Sequence, residues 1–198
     1  MMYKANTIYE QKGITTKKLI LTALFAALTC ISTMVIQIPT STMGYIHPGD
    51  SFVLLSGILL GPLSGAFAAG FGSSLADLFT GYLIYAPATF VIKAGTALIA
   101  YHTFRALDKI LHTKRPAIPQ LIVSGIAGEL LVVVGYFVFE IFMLTIVNKT
   151  SLYAGFIAAL ASLPTSTVQG SAGIFLATLL HPILSPFIHL QRSQSQRG

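Results

Sequence analysis

Residues 51–76 read SFVLLSGILLGPLSGAFAAGFGSSLA, a run without a single charged side chain, interrupted once by Gly61-Pro62. A helix needs about 20 apolar residues to cross a bilayer. This run is long enough for a short and a longer helix joined by a tight turn, since proline starts a helix and glycine ends one. Two further stretches, 19–49 and 150–191, also lack Asp, Glu, Lys and Arg. Across the 198 residues 54% are hydrophobic and 9% charged, against about 25% charged in a soluble domain. The chain reads as an all-α polytopic membrane protein.

Working outward gives six helices. Span one covers 18–37, span two 50–60, span three 63–79, span four 88–105, span five 120–147 and span six 152–180. Pro164 is expected to kink span six, and His181-Pro182 with Ser185-Pro186 to end it. The domain plan is a cytosolic tail over 1–16, a membrane domain over 17–190 and a cytosolic tail over 191–198. Because several runs follow the first, it reads as a retained span and not as a signal peptide.

Orientation follows the positive-inside rule. Lys4, Lys12, Lys17 and Lys18 precede span one. Arg105, Lys109, Lys114 and Arg115 follow span four, and Arg192 and Arg197 end the chain. The other side holds only Lys149. Both termini are therefore expected in the cytoplasm, with loops 38–49, 81–87 and 148–151 outside. Confined to these segments, the net charge of +6 is no nucleic-acid footprint.

Charges within spans mark sites, because each costs at least about 2.5–3.5 kcal/mol on insertion scales. Asp50 opens span two, where it can cap the first turn or touch a ligand. Asp77 sits at the C-terminal end of span three, where the helix dipole disfavours a negative charge, so it wants a cation or a donor. Lys93 lies about 12 Å below the outer loop, and either pairs with Asp77 or contacts ligand. Glu129 and Glu140 are eleven residues apart, about 20° from three whole turns. They share a face with Gly125, Val132, Tyr136 and Met143. Gln169 reaches the depth of Glu129 and is expected to bond to it, while Glu140 with Tyr136 serves ligand or structure equally well.

Tyr45, Tyr82 and Tyr85 gather in the outward loops, as an interfacial belt or as stacking partners for a small flat ring. Of the histidines, only His47 shares that side; His102, His112, His181 and His189 read as interfacial. Ala23, Ala26 and Ala27 on span one, and Gly57, Gly61 and Gly65 at four-residue steps, allow close helix approach, within the chain or to another membrane protein. No Gly-Lys dipeptide occurs, so a phosphate-binding loop is absent. Cys30 stands alone, and no metal or cofactor is expected.

The run Ile46-His47-Pro48-Gly49-Asp50, then Gly61-Pro62-x-x-Gly65, Gly72-Ser73-x-x-x-Asp77, Gly81-Tyr82-x-x-Tyr85-Ala86-Pro87 and Lys93 resembles the substrate-binding S components of energy-coupling factor (ECF) vitamin transporters. It is most similar to the branch with riboflavin-type and hydroxymethylpyrimidine/pyridoxine-type members. The resemblance implies a six-helix subunit, not an enzyme, that captures a vitamin from outside. It would join a membrane T component and two cytosolic ATPases, then topple to release its cargo. Ala23, Ala26 and Ala27 would form the docking step. The pocket would draw on His47, Tyr85, Lys93, Tyr136, Glu140 and Asn148, with Asp50, Asp77, Tyr82 and Gln169 as further candidates.

A pyridoxine- or hydroxymethylpyrimidine-like ligand suits the mixture of acids and a lysine. Pantothenate, with Lys93 on its carboxylate, and riboflavin are alternatives. A different class is an autonomous ion-coupled transporter with Glu129 or Glu140 as proton carrier. An intramembrane enzyme built on His47 and Asp50 lacks a nucleophile–base–orienter set.

Overall fold

The computed structural model describes residues 16–39, 45–111 and 118–195. The expected N-terminal tail up to residue 15, His112, Lys114, Arg115 and Arg197 lie outside the described residues, as do the side chains of Tyr45, His189 and Arg192. Six helices follow in order: α1 (Thr16–Val35), α2 (Asp50–Leu60), α3 (Pro62–Thr80), α4 (Ala86–Leu111), α5 (Ile118–Phe142) and α6 (Leu152–Ser195). In the first outward loop a two-residue ladder pairs β1 (Ile38–Pro39) with β2 (Tyr45–Ile46), Ile38 opposite Ile46.

At 1.5 Å per residue α2 is about 16 Å long, half the thickness of a bilayer core. It survives by being enclosed. Val53, Leu54, Leu55 and Ser56 are all buried, and α1, α3, α4 and α6 pack around it. Leu54, Leu55, Leu59 and Leu60 meet Phe25 of α1, Ala68 of α3, Ala100 of α4 and Ala177 of α6 in the main apolar cluster. Among the described residues, three helical segments are long and apolar enough to cross a membrane: α1, 118–147 and 152–186.

Glycines set the spacing. A Cβ at Gly57 would overlap the backbone carbonyl of Ala97, and one at Gly65 the carbonyl of Ser56. Gly61 does something different: at φ 90° it makes the turn, its N–H donating to the Gly57 carbonyl at 3.1 Å. The four-residue step is thus two contact positions flanking a hinge residue. Ala26 is buried, its carbonyl facing Gly72 of α3, whereas Ala23 and Ala27 are exposed.

Two helix ends differ from expectation. α6 continues through Pro164, Pro182 and Pro186 to Ser195. A proline removes one N–H donor and crowds one carbonyl, and packing against α5 and α2 carries the helix past that cost. The end of span five is not α-helical: Met143–Val147 form a π turn, closed by the Asn148 N–H on the Met143 carbonyl at 3.1 Å. His181 also departs from the interfacial reading, lying buried beside Phe104 with ring centroids 6.3 Å apart.

Candidate functional site

The polar side chains fall into two groups, an interior cluster and an outer cleft. The cluster begins with Asp50. As the first residue of α2 it makes no side-chain cap; its carboxylate turns inward instead. Lys93 Nζ of α4 donates to Asp50 Oδ1, with both side chains at most 1% exposed. Gln169 Nε2 of α6 donates to Asp50 Oδ2 at 2.7 Å. Three helices are tied at one carboxylate, and removing one member of such a buried pair costs about 3–5 kcal/mol.

Three expectations are corrected here. Asp50 is not a helix cap. Lys93 pairs with Asp50 and not with Asp77, because the start of the enclosed α2 lies at the depth of Lys93 and not at the outer mouth. Gln169 bonds to Asp50 and not to Glu129. Both Glu129 oxygens are buried without a hydrogen-bond partner, against Gly170 of α6.

Above the cluster, Tyr136 of α5 presents its ring face to Lys93, 5.4 Å from ammonium to centroid, within cation–π range. Its hydroxyl donates to Thr89 Oγ1 at 2.9 Å. His47 is buried; its Nδ1 accepts the Gly49 N–H at 3.1 Å. Desolvation pushes the imidazole down to about 4, Asp50 opposing and Lys93 adding to the effect. It is therefore neutral at pH 7.

The outer cleft measures about 540 Å³ and is lined by Gly81, Tyr82, Leu83, Ile84, Tyr85, Met143 and Asn148, within the range of small-molecule pockets. Its geometry follows from two local breaks. Gly81 caps α3 in the left-handed conformation (φ 89°), and the N–H of Tyr82 bonds to the Asp77 carbonyl at 2.8 Å. That turn lays Tyr82 and Tyr85 edge to face at 6.1 Å, with Phe139 of α5 edge-on to Tyr85 at 5.2 Å. Opposite, the π turn carries Met143 and Asn148 to the rim.

Tyr85 Oη is buried without a hydrogen-bond partner. Burial, reinforced by Glu140, Tyr82 and Asp77, pushes this phenol up to about 12, so it stays an O–H donor at every physiological pH. Glu140 accepts from Ser162 Oγ of α6, and Asp77 is buried at the base of the 81–85 turn.

Of the ten side chains nominated for a ligand, Tyr82, Tyr85 and Asn148 line the cleft. Asp77 and Glu140 stand behind Tyr85. Asp50, Lys93 and Gln169 form the interior cluster, flanked by His47 and Tyr136. The inward stripe on α5 holds: Gly125, Glu129, Val132, Glu140 and Met143 are buried. Sequence reasoning missed Leu83, Ile84, Phe139 and Ser162 because apolar residues and lone serines carry no signal in an apolar chain.

Residues 13–185 match the model of the family described as "ECF-type riboflavin transporter, S component". The fold is similar to that of the S component of a bacterial ECF transporter, at a TM-score of 0.60 and 22% identity over 87% of this chain and 98% of the other. It is also similar to the S component for biotin of an ECF-type ABC transporter, at 0.59 and 19% identity over 91% and 95%. An uncharacterised protein of Pyrococcus woesei is 43% identical over 70 residues, 35% of this chain. The chain spans about half (47%) of that curated relative's length.

Proposed function

The chain belongs to the ECF-type riboflavin transporter S-component family, and from that premise we propose that it is a multi-pass cell-membrane subunit capturing a small flat heteroaromatic vitamin or precursor, of the pyridoxine or hydroxymethylpyrimidine class. The observation that carries this reading is the outer cleft. Its wall offers two crossed tyrosine rings and an amide at Asn148. An aromatic wall with a few fixed polar atoms binds a heterocycle by stacking and by hydrogen bonds to its ring atoms.

A carboxylate ligand such as pantothenate fits this wall poorly. None of the lining side chains is a cation, and Lys93 is engaged by Asp50. Riboflavin is a second reading, favoured by the description of the matching family. Transport work would come from partners, a membrane T component and two cytosolic ATPases, with Ala23 and Ala27 exposed on α1 as the docking step.

The test is mass spectrometry of small molecules retained by the purified protein, followed by calorimetric titration with pyridoxine, hydroxymethylpyrimidine, riboflavin and pantothenate. Binding of one of the first two, weakened about ten-fold by Asn148→Ala through one lost hydrogen bond, is expected. Binding of riboflavin alone selects the second reading. Failure of the whole panel overturns the capture role.

A further inference from the structure

The interior cluster contains more carboxyl groups than cations. Lys93 contributes one positive charge and Asp50 one negative, and the two are bonded. Glu129 is the third ionisable member. It is 4% exposed, Asp50 and Lys93 both act on it electrostatically, and neither of its oxygens receives a hydrogen bond.

The groups facing it can be taken element by element. α2 presents Asp50 and α4 presents Lys93. α6 presents Gln169, committed to Asp50, and Gly170, where a Cβ would stand 3.0 Å from Glu129 Oε2. His47, in the segment before α2, interacts electrostatically with Asp50 and Lys93. On α5 itself the next polar side chain of the stripe is Tyr136, held by Thr89. Among the described residues no second cation acts on Glu129, and an uncompensated carboxylate in such surroundings is costly.

We propose that Asp50, Lys93 and Glu129 form a proton-binding site inside the helix bundle. One lysine serves two carboxyls, and the carboxyl that lacks it is closed by a proton. In the structure the lysine sits on Asp50, and the proposed proton belongs to Glu129. The complementary arrangement has the lysine on Glu129 and the proton on Asp50. Each keeps the cluster neutral, and exchanging one for the other moves one proton and one ammonium with no change in total charge. A metal ion is a poorer occupant: among the described residues no group of three or more His, Cys, Asp or Glu side chains gathers to hold one.

Two properties separate a proton site from inert packing. The first is a vibrational signature. Infrared spectra of the purified protein at pH 7, taken as wild type minus Glu129→Gln, should show the C=O stretch of one protonated carboxyl. Asp50→Asn should remove the same band, because Lys93 then turns to Glu129 and ionises it. The second is non-additivity. Asp50→Asn and Glu129→Gln should each lower the melting temperature by less than breaking an isolated buried pair would, since the other carboxyl answers the lysine. The double variant should lose about 10 °C of melting temperature beyond the sum of the singles.

No protonated-carboxyl band at pH 7 in the wild type overturns the proposal, as does a band that persists in Asp50→Asn. A band that sodium abolishes would assign the site to a metal cation instead. Additive melting shifts would overturn the shared-lysine arrangement. These readouts require no vitamin, so their failure is distinguishable from failure of the capture reading.

Discussion

At the residue scale, His47 shows how burial writes a pH response into a single side chain. Its folded value near 4 lies below the ordinary 6.5, so between these values the unfolded chain holds more protons than the folded one. Stability from the neutral imidazole is complete above about pH 6.5 and drains away as pH falls toward 4. His47→Asn keeps an acceptor for the Gly49 N–H but cannot titrate. Thermal unfolding at pH 7.5, 6 and 5 should therefore show the variant losing less stability on acidification than the wild type. Parallel curves would mean that His47 does not carry the effect.

Among the elements, α2 is the one whose surroundings decide everything. Gly57→Ala should cost about 1–3 kcal/mol, as overpacking against a backbone carbonyl that cannot rotate away, read as a lower melting temperature. Gly61→Ala tests a different penalty of about 1–3 kcal/mol, from a positive-φ extended backbone that only glycine adopts freely. The position of α2 in the sequence was plain: an aspartate at one end, Gly-Pro at the other, leucines between. Its depth was not. Hydropathy reports how apolar a segment is but not how far into the bundle it starts, so Asp50 read as a mouth residue and Lys93 was matched to the nearer Asp77.

The π turn was hidden for a related reason, since Met143–Val147 is as apolar as the helix before it. Pro182 and Pro186 read as helix ends because local propensity knows nothing of the neighbours that hold α6 together. By contrast, the acid-bearing stripe on α5 was legible, because its eleven-residue spacing needs no partner to be interpreted.

For the whole molecule, the exposed Ala23 and Ala27 and the buried Ala26 divide one motif into an outer and an inner half. Ala23→Trp should leave ligand binding by the isolated protein unchanged while abolishing uptake in cells that supply the ATPase module. Ala26→Trp should instead damage the fold, because its site is filled by α3. Equal loss of binding and uptake in Ala23→Trp would remove that face from the docking role and return weight to transport by the chain alone.

The bond between Lys93 and Asp50 also has an electrical consequence. Moving one elementary charge through a membrane potential takes about 2.3 kcal/mol for each 100 mV. A lone interior lysine would make any tilt of the bundle a voltage-dependent event, helped or opposed by the energised state of the cell. Joined to Asp50, it forms a short dipole with no net charge, on which the field does little work. This buried charge is thereby uncoupled from the membrane voltage, and if the subunit reorients as proposed, the battery across the bilayer neither drives nor opposes that motion through Lys93.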